Sequence, residues 1–207
     1  MAAARVETKP RRILWYAGLS ALLSVLFATT YGGANWLASQ RAEWFHFYLE
    51  TELAIPFVPY WIWIYLSLNL FTLLPLFVLS LGGIRRFATA FALVTVGAAS
   101  FHILFPAASG WQRPAVVAGY PQFAWLYAIE GPHNLVPSLH VAYTSLTALL
   151  VHRPLVYAWA AMLALSTLLV HQHHLLDVAT GAALGWGGYR WFARADGSGL
   201  WLESAFR

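Results

Sequence analysis

Long apolar runs separated by short polar junctions set the plan of this chain. A helix that crosses a bilayer needs about 20 mostly apolar residues. Six runs approach that length and predict helices over residues 13–37, 58–81, 87–105, 138–151, 155–170 and 174–191. Pro75 falls inside the second run and predicts a kink there. Residues 41–56 place Glu43, His46 and Glu50 at i, i+3 and i+7, one polar face of a helix, beside several aromatics. That pattern predicts an interfacial amphipathic helix, with a structured loop as the alternative. Residues 106–137 contain five prolines and no apolar run long enough to span a bilayer. Trp111, Tyr120, Phe123, Trp125 and Tyr127 within them predict a loop that packs on the rest of the chain.

Composition turns six helices into a fold class. Of 207 residues, 60% are hydrophobic and 10% charged, against about a quarter charged in a soluble domain. The expectation is an all-α polytopic membrane protein with six transmembrane helices, an extracytoplasmic loop and an interfacial helix. It forms a single six-helix domain over 1–207, with cytoplasmic tails at 1–12 and 195–207. The first run follows Arg5, Lys9, Arg11 and Arg12 but is long and lacks a small-residue cleavage site, so a retained helix is expected. The net charge of +4 comes from scattered basic residues, which argues against nucleic acid as a partner. The absence of cysteine excludes disulfides, thiolate metal sites and a cysteine nucleophile.

Charge also orients the helices. With the N-terminus in the cytoplasm, ten of the twelve basic residues fall inside, and only Arg41 and Arg113 fall outside. The long loop, the start of the fourth helix and the cluster His171-Gln172-His173-His174-Leu175-Leu176-Asp177 then share the extracytoplasmic face. The expected location is a cell membrane, plasma or bacterial inner, with both termini cytoplasmic.

Three polar clusters meet on that face, each with an ordinary structural alternative. Arg113 is a phosphate ligand or an interfacial arginine on lipid head groups. Pro137-Ser138-Leu139-His140 opens a helix, where free backbone N–H groups and a hydroxyl suit an anion; otherwise it is a plain N-cap. His173 and Asp177, four residues apart, share a helix face; they are a nucleophile with its orienting carboxylate, or a pair anchoring a helix end. Together they supply a phosphate cradle (Arg113, Ser138, the N–H groups near Leu139), a nucleophile (His173 with Asp177) and a proton donor (His140). That set suits phosphoryl transfer through a phosphohistidine. A metal site on His171, His173, His174 and Asp177, and a transporter, are the competing classes.

The same clusters resemble the three signature motifs of the type 2 phosphatidic acid phosphatase and vanadium haloperoxidase superfamily. Pro137-Ser138-Leu139-His140 is similar to its Pro-Ser-Gly-His. Ser166-Thr167, five residues, His173, three residues, Asp177 keeps the spacing of its third motif, with Thr167 where that motif has arginine. Arg113-Pro114 matches the end of its first motif, with Pro106 at the lysine position. The variant looks most like a divergent branch that includes inositol phosphorylceramide synthase-like membrane proteins. The resemblance implies His173 as nucleophile, Asp177 as its partner, His140 as general acid, Arg113 and Ser138 as phosphate ligands, and neither metal nor cofactor. It implies hydrolysis of a lipid phosphate drawn from the surrounding membrane lipids, or transfer of the phosphoryl head group to an alcohol. His133, Asn134, His171, Gln172 and His174 are the candidates to replace the missing cations.

Overall fold

A proline near the first turn and an unbroken apolar run make Lys9–Ser39 one helix, α1, of 31 residues, about 46 Å long. It occurs in a computed structural model that describes residues 8–115, 117–194 and 200–202. Residues 9–12, expected in a tail, are thus helical. Residues 1–7 and most of the expected C-terminal tail lie outside the described part. Within that tail Leu200–Leu202 are described: the Ser80 N–H donates to the Leu200 carbonyl (3.0 Å), and Leu202 N–H to Val78 (2.9 Å).

The second apolar run does not form one helix. It breaks into a 3₁₀ turn at Pro59–Trp61 and three short helices, α2 (Ile62–Leu66), α3 (Leu68–Phe71) and α4 (Leu74–Val78). Side-chain hydrogen bonds to nearby carbonyls mark the breaks. Ser67 Oγ donates to Ile64, Asn69 Nδ2 to Leu66 and Thr72 Oγ1 to Asn69. Such local bonds offer the backbone an alternative to the helical ladder, and Pro75 removes one of its donors. Apolar patterning alone does not register this competition.

Beyond the breaks the helices follow the apolar runs within a few residues, except that the third begins at Leu81 rather than 87, where the Ser80 hydroxyl caps it by accepting from Gly83 N–H. They are α5 (Leu81–Leu104), α7 (Leu139–Val151), α8 (Pro154–Leu169) and α9 (Leu175–Ala193), with a short α6 (Gln122–Ile129) inside the long loop. Among the described residues no β-strand forms. Among the described residues two helices, α1 and α5, are long and apolar enough to cross a membrane.

The expected interfacial helix is a loop. Its backbone groups bond elsewhere: the Phe45 N–H donates to the Pro106 carbonyl and the Phe45 carbonyl accepts from the Ala108 N–H, both at 2.9 Å. Only Glu50–Ala54 winds, as a 3₁₀ turn. The long loop does pack: Phe123 and Leu126 of α6 are buried with Ile62, Tyr65 and Val170.

The core is built where α7 packs on α9 and α5. Gly181 and Gly185 allow the close approach of α9. A Cβ on Gly181 would lie 2.5 Å from the Ser138 carbonyl oxygen, and one on Gly185 2.3 Å from that of Ala142. Gly188 faces Val94, whereas Gly187 faces open space. This seam, tied by Ser138 N–H donating to the Asp177 carbonyl at 3.0 Å, places the start of α7 beside the start of α9.

Candidate functional site: a histidine pair at the end of an apolar cleft

The end of α8 aims the histidine cluster. His171 N–H bonds the Leu168 carbonyl and Gln172 N–H that of Thr167, the double closure of a Schellman cap. His171 takes the left-handed position at φ 55°, which glycine usually fills because a Cβ is strained there. Its ring is held by the Ile55 carbonyl, 2.9 Å from Nε2, and by a stack on Trp111 at 4.2 Å between centroids. The reversed chain then presents His173 inward.

His173 Nδ1 lies 3.3 Å from Asp177 Oδ2. Asp177 is buried and accepts His174 N–H with the same oxygen at 2.8 Å. A carboxylate on Nδ1 holds the proton there and leaves the Nε2 lone pair for attack. His140 faces His173, with ring centroids 6.2 Å apart. Ser138 is fully buried and its Oγ accepts from Val141 N–H at 3.4 Å, so its hydroxyl oxygen caps α7. From α5, His102 Nε2 sits 3.1 Å from the Pro137 carbonyl, just ahead of that cap.

His140, His173 and Leu139 line the end of a cleft of about 410 Å³. Arg113 stands apart from that cleft. Its guanidinium donates to the carbonyls of Glu130 (2.5 Å) and Gly131 (3.5 Å) and to Gln172 Oε1 (3.1 Å), and it lies over the Tyr127 ring. It braces the loop, with its remaining N–H groups uncommitted by these bonds.

The structure separates the candidates for the missing cations. His174 is drawn away from the cleft: Nδ1 sits 3.2 Å from Glu52 Oε2, and Gly110 N–H donates to Nε2. His133 stacks on Trp44. Asn134 alone among the five lines the cleft; its Nδ2 donates to the Tyr31 carbonyl and its Oδ1 has no partner. Pro106 and Thr167 are both buried. The histidines bind in different directions, and no group of three or more metal-ligating side chains converges among the described residues.

Two acids emerge that the motifs did not single out. Glu130, at the end of α6, accepts the Tyr65 hydroxyl at 2.6 Å and lies 3.7 Å from His140 Nε2. Tyr65 also stacks on His140, its oxygen 3.2 Å from Nδ1. With Tyr65 donating to Glu130, His140 donates Nδ1–H to Tyr65, which leaves Nε2 facing the Glu130 carboxyl. Burial pushes the Glu130 carboxyl above its ordinary range, against the pull of Tyr65, His173 and Arg113. Glu52 is the second. Burial raises it, but the N–H groups of Leu49 and Leu175 and the His174 ring more than offset that, so it ionises below the usual range. Glu52 lay off the polar face predicted for 41–56, and Glu130 sat in a loop without periodicity; neither had a sequence signal of its own.

Compared with known protein families, with characterised proteins and with solved structures, the chain matches none.

Proposed function

We propose that this protein transfers the phosphoryl group of a membrane lipid phosphate through a phosphohistidine on His173, with water as the acceptor. The observation that carries this is the Asp177-oriented His173 facing His140 at the polar end of an apolar cleft. His173 Nε2 attacks phosphorus, the ester P–O bond breaks, and the leaving lipid oxygen takes a proton from His140. Water then attacks the phosphorus and passes a proton to His140, the P–N bond breaks, inorganic phosphate leaves, and both His173 and protonated His140 are regenerated. Leu139 and Ser138 at the start of α7 supply the helix end that favours an anion, and Arg113, which braces the adjoining loop, adds its positive charge from outside the cleft.

In this reading the segmented run 59–78, α1, α5, α7, α8 and α9 make six passes. The basic end supports that orientation: Arg12 bonds the Leu76 carbonyl, Arg85 lies over Trp15, and Arg86 bonds Phe192 and Trp191 carbonyls. That end is cytoplasmic by the positive-inside rule, with both termini, and the histidine end faces outward. The membrane is the plasma or bacterial inner membrane.

A second reading has its own observation. Glu130 beside His140, with no cation at Pro106 or Thr167, disfavours a dianionic monoester once that carboxyl ionises. A phosphodiester carries less charge, and an alcohol can attack the same intermediate as water, which would make the protein a head-group transferase. Purified full chain, given phosphorus-labelled lipid phosphates and phosphodiesters with and without an alcohol acceptor, separates these. Free phosphate identifies the hydrolase and a new labelled phospholipid the transferase; no transfer to either acceptor refutes both. Orthovanadate, a mimic of the five-coordinate transition state, is expected to inhibit.

A further inference from the structure

The cleft that ends at His173 has a shape of its own. Its one long wall is α1, from Tyr16 to Tyr31, about 22 Å of helix. α5 and α7 form the back through Ile84, Phe87, Phe91 and Tyr143. α1 and the α2–α4 segment meet near one end, where Tyr16 donates to the Thr72 carbonyl and Arg12 to that of Leu76. Those bonds close the floor. Above them the two elements part, and Ser24 and Asn69 on the rim are exposed. The rim polar groups bond their own helices, Ser24 to Ser20 and Asn69 to Leu66. The other end carries Glu130, His140, His173 and Asn134.

A slot with a closed apolar floor, an open side and a polar head matches an amphiphile. Its volume says which kind. An apolar cavity of about 150 Å³ accepts the six carbons of benzene, which scales to about sixteen carbons for one of about 410 Å³. That is one long aliphatic chain laid along α1; a second chain of the same length would need as much space again.

We propose that this slot binds one slender aliphatic chain, so that the substrate is a single-chain lipid phosphate entering sideways between α1 and the α2–α4 segment. It deepens the phosphoryl-transfer assignment and rests on it for the position of the head group. The slot discriminates by shape, because a chain arriving from the bilayer leaves surroundings as apolar as the slot itself.

The test uses the full chain in nanodiscs with straight-chain alkyl phosphates of increasing length, a two-chain phosphatidate and a chain-free phosphomonoester. The expected result is turnover that rises with chain length up to about sixteen carbons, and kcat/KM at least about tenfold lower for the two-chain lipid. Leu19→Trp, near the floor, is expected to move the optimum to shorter chains; Leu22→Trp, on the outward side of α1, is expected to leave it in place. Equal use of one-chain and two-chain lipids, or an optimum unmoved by Leu19→Trp, overturns the proposal. An alkyl phosphate with a diazirine at the chain end gives a readout that needs no turnover. Crosslinks at Leu19 and Ile84 support the slot, even where no phosphate is released and the hydrolytic assignment fails. Crosslinks confined to Leu22 and Val25 overturn it.

Discussion

Glu52→Ala tests how the site is held. The Glu52 carboxylate is buried and accepts Leu49 N–H at 3.0 Å, Leu175 N–H at 2.8 Å and the His174 ring nitrogen at 3.2 Å. Two of these donors, on His174 and Leu175, belong to the start of α9, three and two residues before Asp177. Hydrogen bonds to a charged acceptor contribute about 1.5–3 kcal/mol each, and buried donors left unpaired cost more than paired ones gain. Three donors sharing one carboxylate, with water entering part of the space, give an expected loss of about 3–4 kcal/mol. At about 2–4 °C per kcal/mol for a chain of this size, the unfolding midpoint drops by about 6–16 °C. The assay is thermal unfolding of the purified protein as a function of pH. Because the folded-state pKa of Glu52 is lowered, its stabilisation is present above the unfolded value and is lost as pH falls through the folded one. The gap between wild type and variant therefore narrows on acidification. A midpoint within about 1 °C of wild type at neutral pH, where the expected drop is several times larger, would show that Glu52 does not hold α9. A gap that widens in acid would refute the linkage.

Other perturbations separate packing from chemistry. Gly181→Ala drives a methyl against the Ser138 carbonyl, so a loss of about 1–3 kcal/mol is expected; thermal melts measure it, and unchanged stability would deny the tight α7–α9 seam. His171→Gly relieves about 1 kcal/mol of left-handed strain but removes the Ile55 bond and the Trp111 stack, so net destabilisation is expected, and a higher midpoint would show that strain dominates. His173→Ala is expected to abolish turnover while the melting curve survives; retained turnover would remove His173 as nucleophile. Glu130→Gln is expected to flatten the pH dependence of KM. In the wild type the carboxyl, its pKa raised by burial, becomes charged as pH rises and repels the phosphate, so KM climbs; an unchanged profile in the variant would place that titration elsewhere.

Apolar periodicity carried the helices that span long unbroken runs, because burial of such a stretch depends on its own residues. It failed over 59–78, where Ser67, Asn69, Thr72 and Pro75 compete locally for the backbone. It failed again over 41–56, where the backbone found partners in 106–108 instead of in itself. Spacing placed His173 and Asp177 together, since four residues on one helix start are a local matter. Their meeting with His140 depended on Gly181 and Gly185, whose missing side chains let α9 lie against the carbonyls of Ser138 and Ala142 on α7, far away in the chain.

The sequence by itself determined an all-helical chain and the pairing of His173 with Asp177, both consequences of contacts within a few residues. Only the tertiary structure decided that Arg113 braces a loop, that Glu52 anchors α9, that Glu130 joins His140, and that a cleft runs from them along α1. Each of these joins groups far apart in the chain, and such pairings are set by which buried donors find acceptors once the helices have packed.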